Sequence, residues 1–78
     1  MLRLLNIIRD VRPEFEINED TELIGSGYLD SYDLVLLVSE MDSLFHISIN
    51  GVDIIPENFA NPRKIADLLI NYGVDIEL

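Results

Sequence analysis

Leu34, Leu37, Val38, Met41 and Phe45 recur at spacings of three and four residues, and this stripe constrains the chain more than any other feature. Only a helix of about three turns or more brings these side chains onto one face, whereas a strand would scatter them over two. Val35 and Leu44 lie at the edges of the stripe. At about 100° per residue, Tyr32, Leu36, Ser39 and Ser43 fall together on a different face, one that a core does not require. A helix with such a stripe must bury it, and a chain of 78 residues has little material with which to do so.

Two further segments offer matching stripes. Leu4, Ile7, Ile8 and Val11 follow i, i+3, i+4, i+7, and this helix must stop near Arg12, because Pro13 disfavours helical geometry in the residue before it. Ile65, Leu68, Leu69 and Tyr72 form the third stripe, with Asn61 as N-cap, Pro62 in the first turn and Gly73 as the stop. Residues 13–30 carry Pro, Asn, two Gly and scattered acids without a sustained period. Phe15, Ile17, Leu23, Ile24 and Leu29 are expected to pin that stretch onto the core; loops of such length in small domains are often functional. In HISINGVDIIP, residues 46–56, Ile47 and Ile49 alternate and Asn50-Gly51 suits a hairpin turn, yet the second arm would end at Ile55 before Pro56. An irregular connection with a short helical turn at Pro56–Phe59 is expected instead. The expected fold is all-α: a small antiparallel bundle of three main helices plus one short helix, with a long first loop, as a single domain over residues 1–78.

Composition removes several function classes. The apolar fraction of 49% suits a compact globule, and with no Cys there is no disulfide and no Cys-based metal site. The N-terminal MLRLLNIIRDVR carries charges through its apolar part and no long apolar run follows, which predicts neither a membrane span nor a secretory signal. A cytoplasmic monomer is the expectation. The net charge of −10 argues against nucleic acid, whose phosphates demand Lys and Arg. All five basic residues lie towards the ends (Arg3, Arg9, Arg12, Arg63 and Lys64), while residues between Pro13 and Pro62 include eleven Asp or Glu and no Lys or Arg. Such a field steers basic partners and costs stability through self-repulsion.

Catalytic constellations are missing from the sequence. The single His46 follows Phe45 at the end of the second helix, where an imidazole readily satisfies the last carbonyls or the helix dipole. Gly25-Ser26-Gly27 is followed by no Lys-Ser/Thr and is not set in a strand-to-helix unit, so it is neither a Walker loop nor a dinucleotide fingerprint. The acids do not match an EF-hand loop, and no metal site is expected. An enzyme is not expected.

What remains is the stretch GSGYLDSYDLVLL, residues 25–37, where a loop becomes a helix. Asp30 is a good N-cap, and Asp33 three residues on completes an arrangement like a capping box. Capping explains both acids and leaves Ser31 unexplained: at the first helical position its hydroxyl points outward with no obligatory partner.

The succession DTELIGSGYLDSYDLVLLVSEMDSLF resembles the acyl carrier protein family, in which an acid-rich loop with a Gly-bearing turn runs into Leu-Asp-Ser-Leu and then an apolar helix ending in Phe. ISINGVDIIPENFANPRKIADLLI is similar to that family's second half, with its Ile-x-Ile pair, its Pro-Glu-Asn-Phe segment and its closing amphipathic helix. The resemblance spans about Leu4 to Tyr72. It implies a carrier: a 4′-phosphopantetheine arm from coenzyme A joined to Ser31 by a phosphopantetheinyl transferase, holding acyl or aminoacyl groups as thioesters for loading and transferring enzymes with basic docking patches. Asp30, Tyr32, Asp33, Leu36 and Glu40 are the residues expected to meet those partners. Tyr32 stands where the family usually has Leu, Leu36 where it usually has Glu, and Asp42-Ser43-Leu44 where it usually has a run of acids. These departures weaken the acidic face of carriers for general fatty acid synthesis and imply a specialised carrier, for a polyketide, an amino acid such as D-alanine, or a dedicated acyl chain. The alternative is an unmodified acidic helical adaptor that binds other proteins through the acidic loop and the Tyr32/Leu36 face.

Overall fold

A computed structural model describes residues 1–76. It contains three helices, α1 (Leu2–Val11), α2 (Ser31–Phe45) and α3 (Pro62–Asn71), and no strand among the described residues. The stripes do in space what they predict on paper. Leu4, Ile7 and Ile8 of α1, Leu34, Leu37, Val38 and Met41 of α2, and Ile65, Leu68 and Leu69 of α3 are all buried, and α1 packs against both other helices. The radius of gyration of 11.1 Å is close to the ~11.5 Å of a compact chain of this length, so the acid-rich stretch lies on the core rather than trailing from it.

Each helix end has a local cause. Arg12 after α1 is extended, at φ −136° and ψ 77°, as Pro13 demands. The α3 N-cap is Asn61, whose Oδ1 accepts the Lys64 N–H at 2.9 Å, with Pro62 at the first position. The same helix ends in a Schellman arrangement: Gly73 at φ +85° donates to Ile70 O at 2.9 Å and Val74 to Leu69 O at 3.0 Å. At the end of α2, His46 takes the left-handed conformation (φ 56°), and its backbone N–H donates to Asp42 O. Of the two roles expected for His46, the structure removes the bond to the last carbonyls: the backbone closes the helix, and the exposed imidazole makes no hydrogen bond with the described residues.

The HISINGVDIIP segment is irregular, with no hairpin. The helical turn at Pro56–Phe59 is present as a 3₁₀ turn, and a second 3₁₀ turn at Gly51–Asp53 adds to the single short helix expected. Asn50 caps that extra turn by accepting the Val52 N–H at 3.1 Å, an Asx turn at the Asn50-Gly51 pair that would also suit a hairpin. Phe59 is fully buried and anchors the connection against α3.

Residues 12–30 hold turns and bends but no helix or strand. Ile17, Leu23 and Leu29 are buried in the core, with Phe15 and Ile24 packed at its edge. Long-range ties reinforce these anchors: the Leu23 N–H donates to Ala60 O at 2.8 Å, the Arg63 N–H to Glu19 O at 3.2 Å, and Arg63 Nε lies 2.7 Å from Asp20 Oδ1. Arg9 donates to Ile17 O at 3.0 Å. Thus cations from the chain ends fasten the acidic stretch between them. No helix among the described residues is long and apolar enough to cross a membrane.

Candidate functional site

Ser31 opens α2 inside a reciprocal capping box. Asp30 Oδ1 accepts the Asp33 N–H at 2.9 Å, and Asp33 Oδ2 accepts the Asp30 N–H at 3.1 Å. The Leu34 N–H goes to Asp30 O at 3.1 Å. The N–H groups of Ser31 and Tyr32 find no acceptor among the described residues, and neither does the Ser31 hydroxyl find a partner. Ser31 is exposed. An unpartnered hydroxyl therefore sits beside two unpartnered N–H donors at the positive end of a 15-residue helix dipole, an arrangement suited to an anionic substituent on that oxygen.

The two acids around Ser31 differ in their surroundings. Asp30 is exposed, whereas Asp33, grouped above with the partner-facing residues, is only 7% exposed. Its Oδ2 is held by Arg12 Nε at 3.0 Å as well as by the Asp30 N–H. Burial pushes the Asp33 carboxyl up, but the Asp30 N–H and the Arg12 guanidinium outweigh it and hold the group below the usual aspartate range. Asp33 is thus committed inside the protein. The Arg12 pairing was not anticipated. Asp33, Leu37 and Met41 are spaced i, i+4, i+8 on the buried face, so the signal that Asp33 needs an internal cation was present in the sequence.

The other sequence-marked residues lie on the outer face of α2. Tyr32 is 69% exposed, Leu36 41% and Val35 62%, and Glu40 is exposed one turn beyond Leu36. Asp10 and Val11 of α1 meet Leu36, Ser39 and Glu40 across a shallow groove. The loop does not fold over this patch. No cluster of three or more His, Cys, Asp or Glu side chains among the described residues is arranged to hold a metal ion. No family model, curated protein or solved structure matches the chain.

Proposed function

We propose that this chain is a carrier protein that bears a 4′-phosphopantetheine arm on Ser31 and is a substrate, not an enzyme, in the attachment step. The observation that carries the reading is the exposed, unpartnered Ser31 hydroxyl at the first position of α2, between an exposed Asp30 and a buried Asp33. The sequence resemblance to acyl carrier proteins agrees with it, as do three helices in the order and at the positions that resemblance implies. In the same reading the helices form an antiparallel bundle whose long first loop delivers the chain to Ser31.

In the attachment step Ser31 Oγ forms a bond to the phosphorus of coenzyme A that carries the pantetheine. The pyrophosphate P–O bond breaks, adenosine 3′,5′-bisphosphate leaves, and the serine proton passes to a base of the transferase. The free N–H groups of Ser31 and Tyr32 face the new phosphodiester's side of the helix end. The arm, once attached, supplies the thiol that this cysteine-free chain lacks.

Partner enzymes meet Asp30, Tyr32, Leu36 and Glu40 in this reading, with Asp33 acting from beneath. The apolar Tyr32, Val35 and Leu36 patch favours a dedicated partner and hence a specialised cargo of the polyketide, aminoacyl or dedicated acyl kind. The same patch also supports a second reading, an unmodified adaptor. Intact mass after incubation with coenzyme A, Mg²⁺ and a general phosphopantetheinyl transferase decides between them. One arm is expected on the wild type and none on Ser31→Ala. A wild type that stays unmodified removes the carrier reading, and an arm on Ser31→Ala removes the site.

A further inference from the structure

We infer that Arg12 is a positioning residue for arm attachment, holding through Asp33 the short segment that presents Ser31; this rests on the carrier reading above. The geometry is a closed circuit. A single oxygen, Asp33 Oδ2, accepts both Arg12 Nε at 3.0 Å and the Asp30 N–H at 3.1 Å, and Asp30 Oδ1 returns the bond to the Asp33 N–H at 2.9 Å. Ser31 is one of the residues spanned by that circuit, and its own hydroxyl contributes nothing to it.

Arg12 is itself held from the other side. Its guanidinium lies 5.7 Å from the centre of the Phe15 ring and 3.8 Å from a Glu14 oxygen. Phe15 stacks on Tyr28 with ring centroids 4.1 Å apart and planes 5° from parallel. Tyr28 lies three residues before Ser31. The approach to the serine is therefore fixed from the loop side by the aromatic pair and from the helix side by the ion pair, with Arg12 joining the two.

Without Arg12, a carboxylate that is almost wholly buried would lack its cation. Rotating it towards water releases the Asp30 N–H and opens the capping box. Ser31 would then occupy its presented conformation only part of the time, and a transferase would have to select that fraction. Selection of a minor conformer raises the apparent KM while leaving kcat unchanged, because the bound, ordered complex is the same. Loss of a cap worth ~1.4 kcal/mol corresponds to about tenfold.

The test compares the full-length wild type, Arg12→Gln and the double variant Arg12→Gln/Asp33→Asn as substrates of a general transferase with coenzyme A. It is paired with amide hydrogen exchange on the apo proteins. Arg12→Gln is expected to raise the apparent KM for the carrier about tenfold with kcat held, and to speed exchange of the Asp30 and Asp33 amides while those of Leu37 and Met41 keep wild-type rates. The double variant is expected to recover most of the loss, because the asparagine carbonyl accepts the Asp30 N–H with no charge left to bury. Normal loading of the wild type with an unchanged KM in Arg12→Gln overturns the inference alone. So does a raised KM that the double variant fails to relieve, or exchange that speeds equally at Leu37 and Met41. A wild type that takes no arm overturns the carrier reading and this inference with it.

Discussion

Tyr72, at the end of α3, donates its hydroxyl proton to Asp53 Oδ2 at 2.5 Å while accepting the Asn50 N–H at 2.8 Å, so one phenol oxygen joins the last helix to the connection between α2 and α3. The Asn58 side-chain amide donates to Asp53 O at 2.8 Å and completes the tie. Tyr72→Phe keeps the ring in the core edge and removes only these bonds. A Tm lower by several degrees is expected, because both hydrogen bonds of the tie are lost together. The bond to Asp53 raises the phenol pKa, against the opposing pull of the Asn50 N–H. A raised folded-state pKa means that the contribution is complete below the ordinary tyrosine value, near ~10, and is lost as pH rises through the folded one. Urea unfolding across that range checks both points; equal stability of the two proteins at neutral pH would show that water replaces the bonds without loss.

Acid should act on Asp33. Its carboxyl is held below the usual range, despite burial that pushes the other way, by the Asp30 N–H and Arg12. Its contribution is therefore complete above the unfolded-state value and disappears as pH falls through the lower folded one. The stability advantage of the wild type over Asp33→Asn is expected to shrink as pH falls through and below the ordinary aspartate range. Comparing the two proteins cancels the protonation of the remaining acids. A constant difference across that interval would mean that the carboxylate charge contributes nothing.

Salt should stabilise the protein. The net charge is −10, and residues between Pro13 and Pro62 add eleven acids with no cation among them. The Arg63–Asp20 pair that screening would weaken is exposed on both sides, and such pairs contribute only ~0–1 kcal/mol. Screening of repulsion should win, and each kcal/mol gained raises Tm by roughly 4–8 °C. A Tm that falls steadily with added NaCl in a calorimetric series would show that the end-placed arginines already balance the acids.

Leu36→Glu separates surface from core. Leu36 is 41% exposed on the outer face of α2, so a stability change within about 1 kcal/mol is expected from chemical denaturation. Under the proposed carrier function, loading by a general transferase is expected to be retained or improved, and transfer by a dedicated partner enzyme lost. Unfolding of the variant would place Leu36 in the core and remove the partner face.

Much of this architecture was legible because helical periodicity reports burial directly. The stripes through Leu4, Leu37 and Leu69 each predicted a buried face, and the stops at Pro13 and Gly73 followed from backbone sterics. The capping box at Asp30 and Asp33 was legible for the same reason, since its signal is local. What escaped were pairings across sequence: Arg12 with Asp33, and Tyr72 with Asp53. No periodicity marks a side chain that reaches a residue far along the chain. The extra turn at Gly51–Asp53 escaped differently, because Asn50-Gly51 serves a hairpin and a 3₁₀ turn equally well.

The fastening of residues 12–30 has a consequence for the order in which the protein can assemble. Its partners Ala60 and Arg63 come far later in the chain, at and just before the start of α3. During synthesis, a nascent chain that has reached only the end of α2 already contains Ser31 but lacks the carbonyl that holds Leu23 and the guanidinium that meets Asp20. It also lacks Phe59 and the α3 stripe, and thus one of the two helices against which α1 packs. Contacts between residues so distant in sequence form late, after the closure entropy of the intervening chain has been overcome. The ribosome must therefore deliver the start of the last helix before Leu23, Glu19 and Asp20 can reach the groups that hold them, so the stretch ahead of Ser31 is fastened only after residues 60–63 have been made.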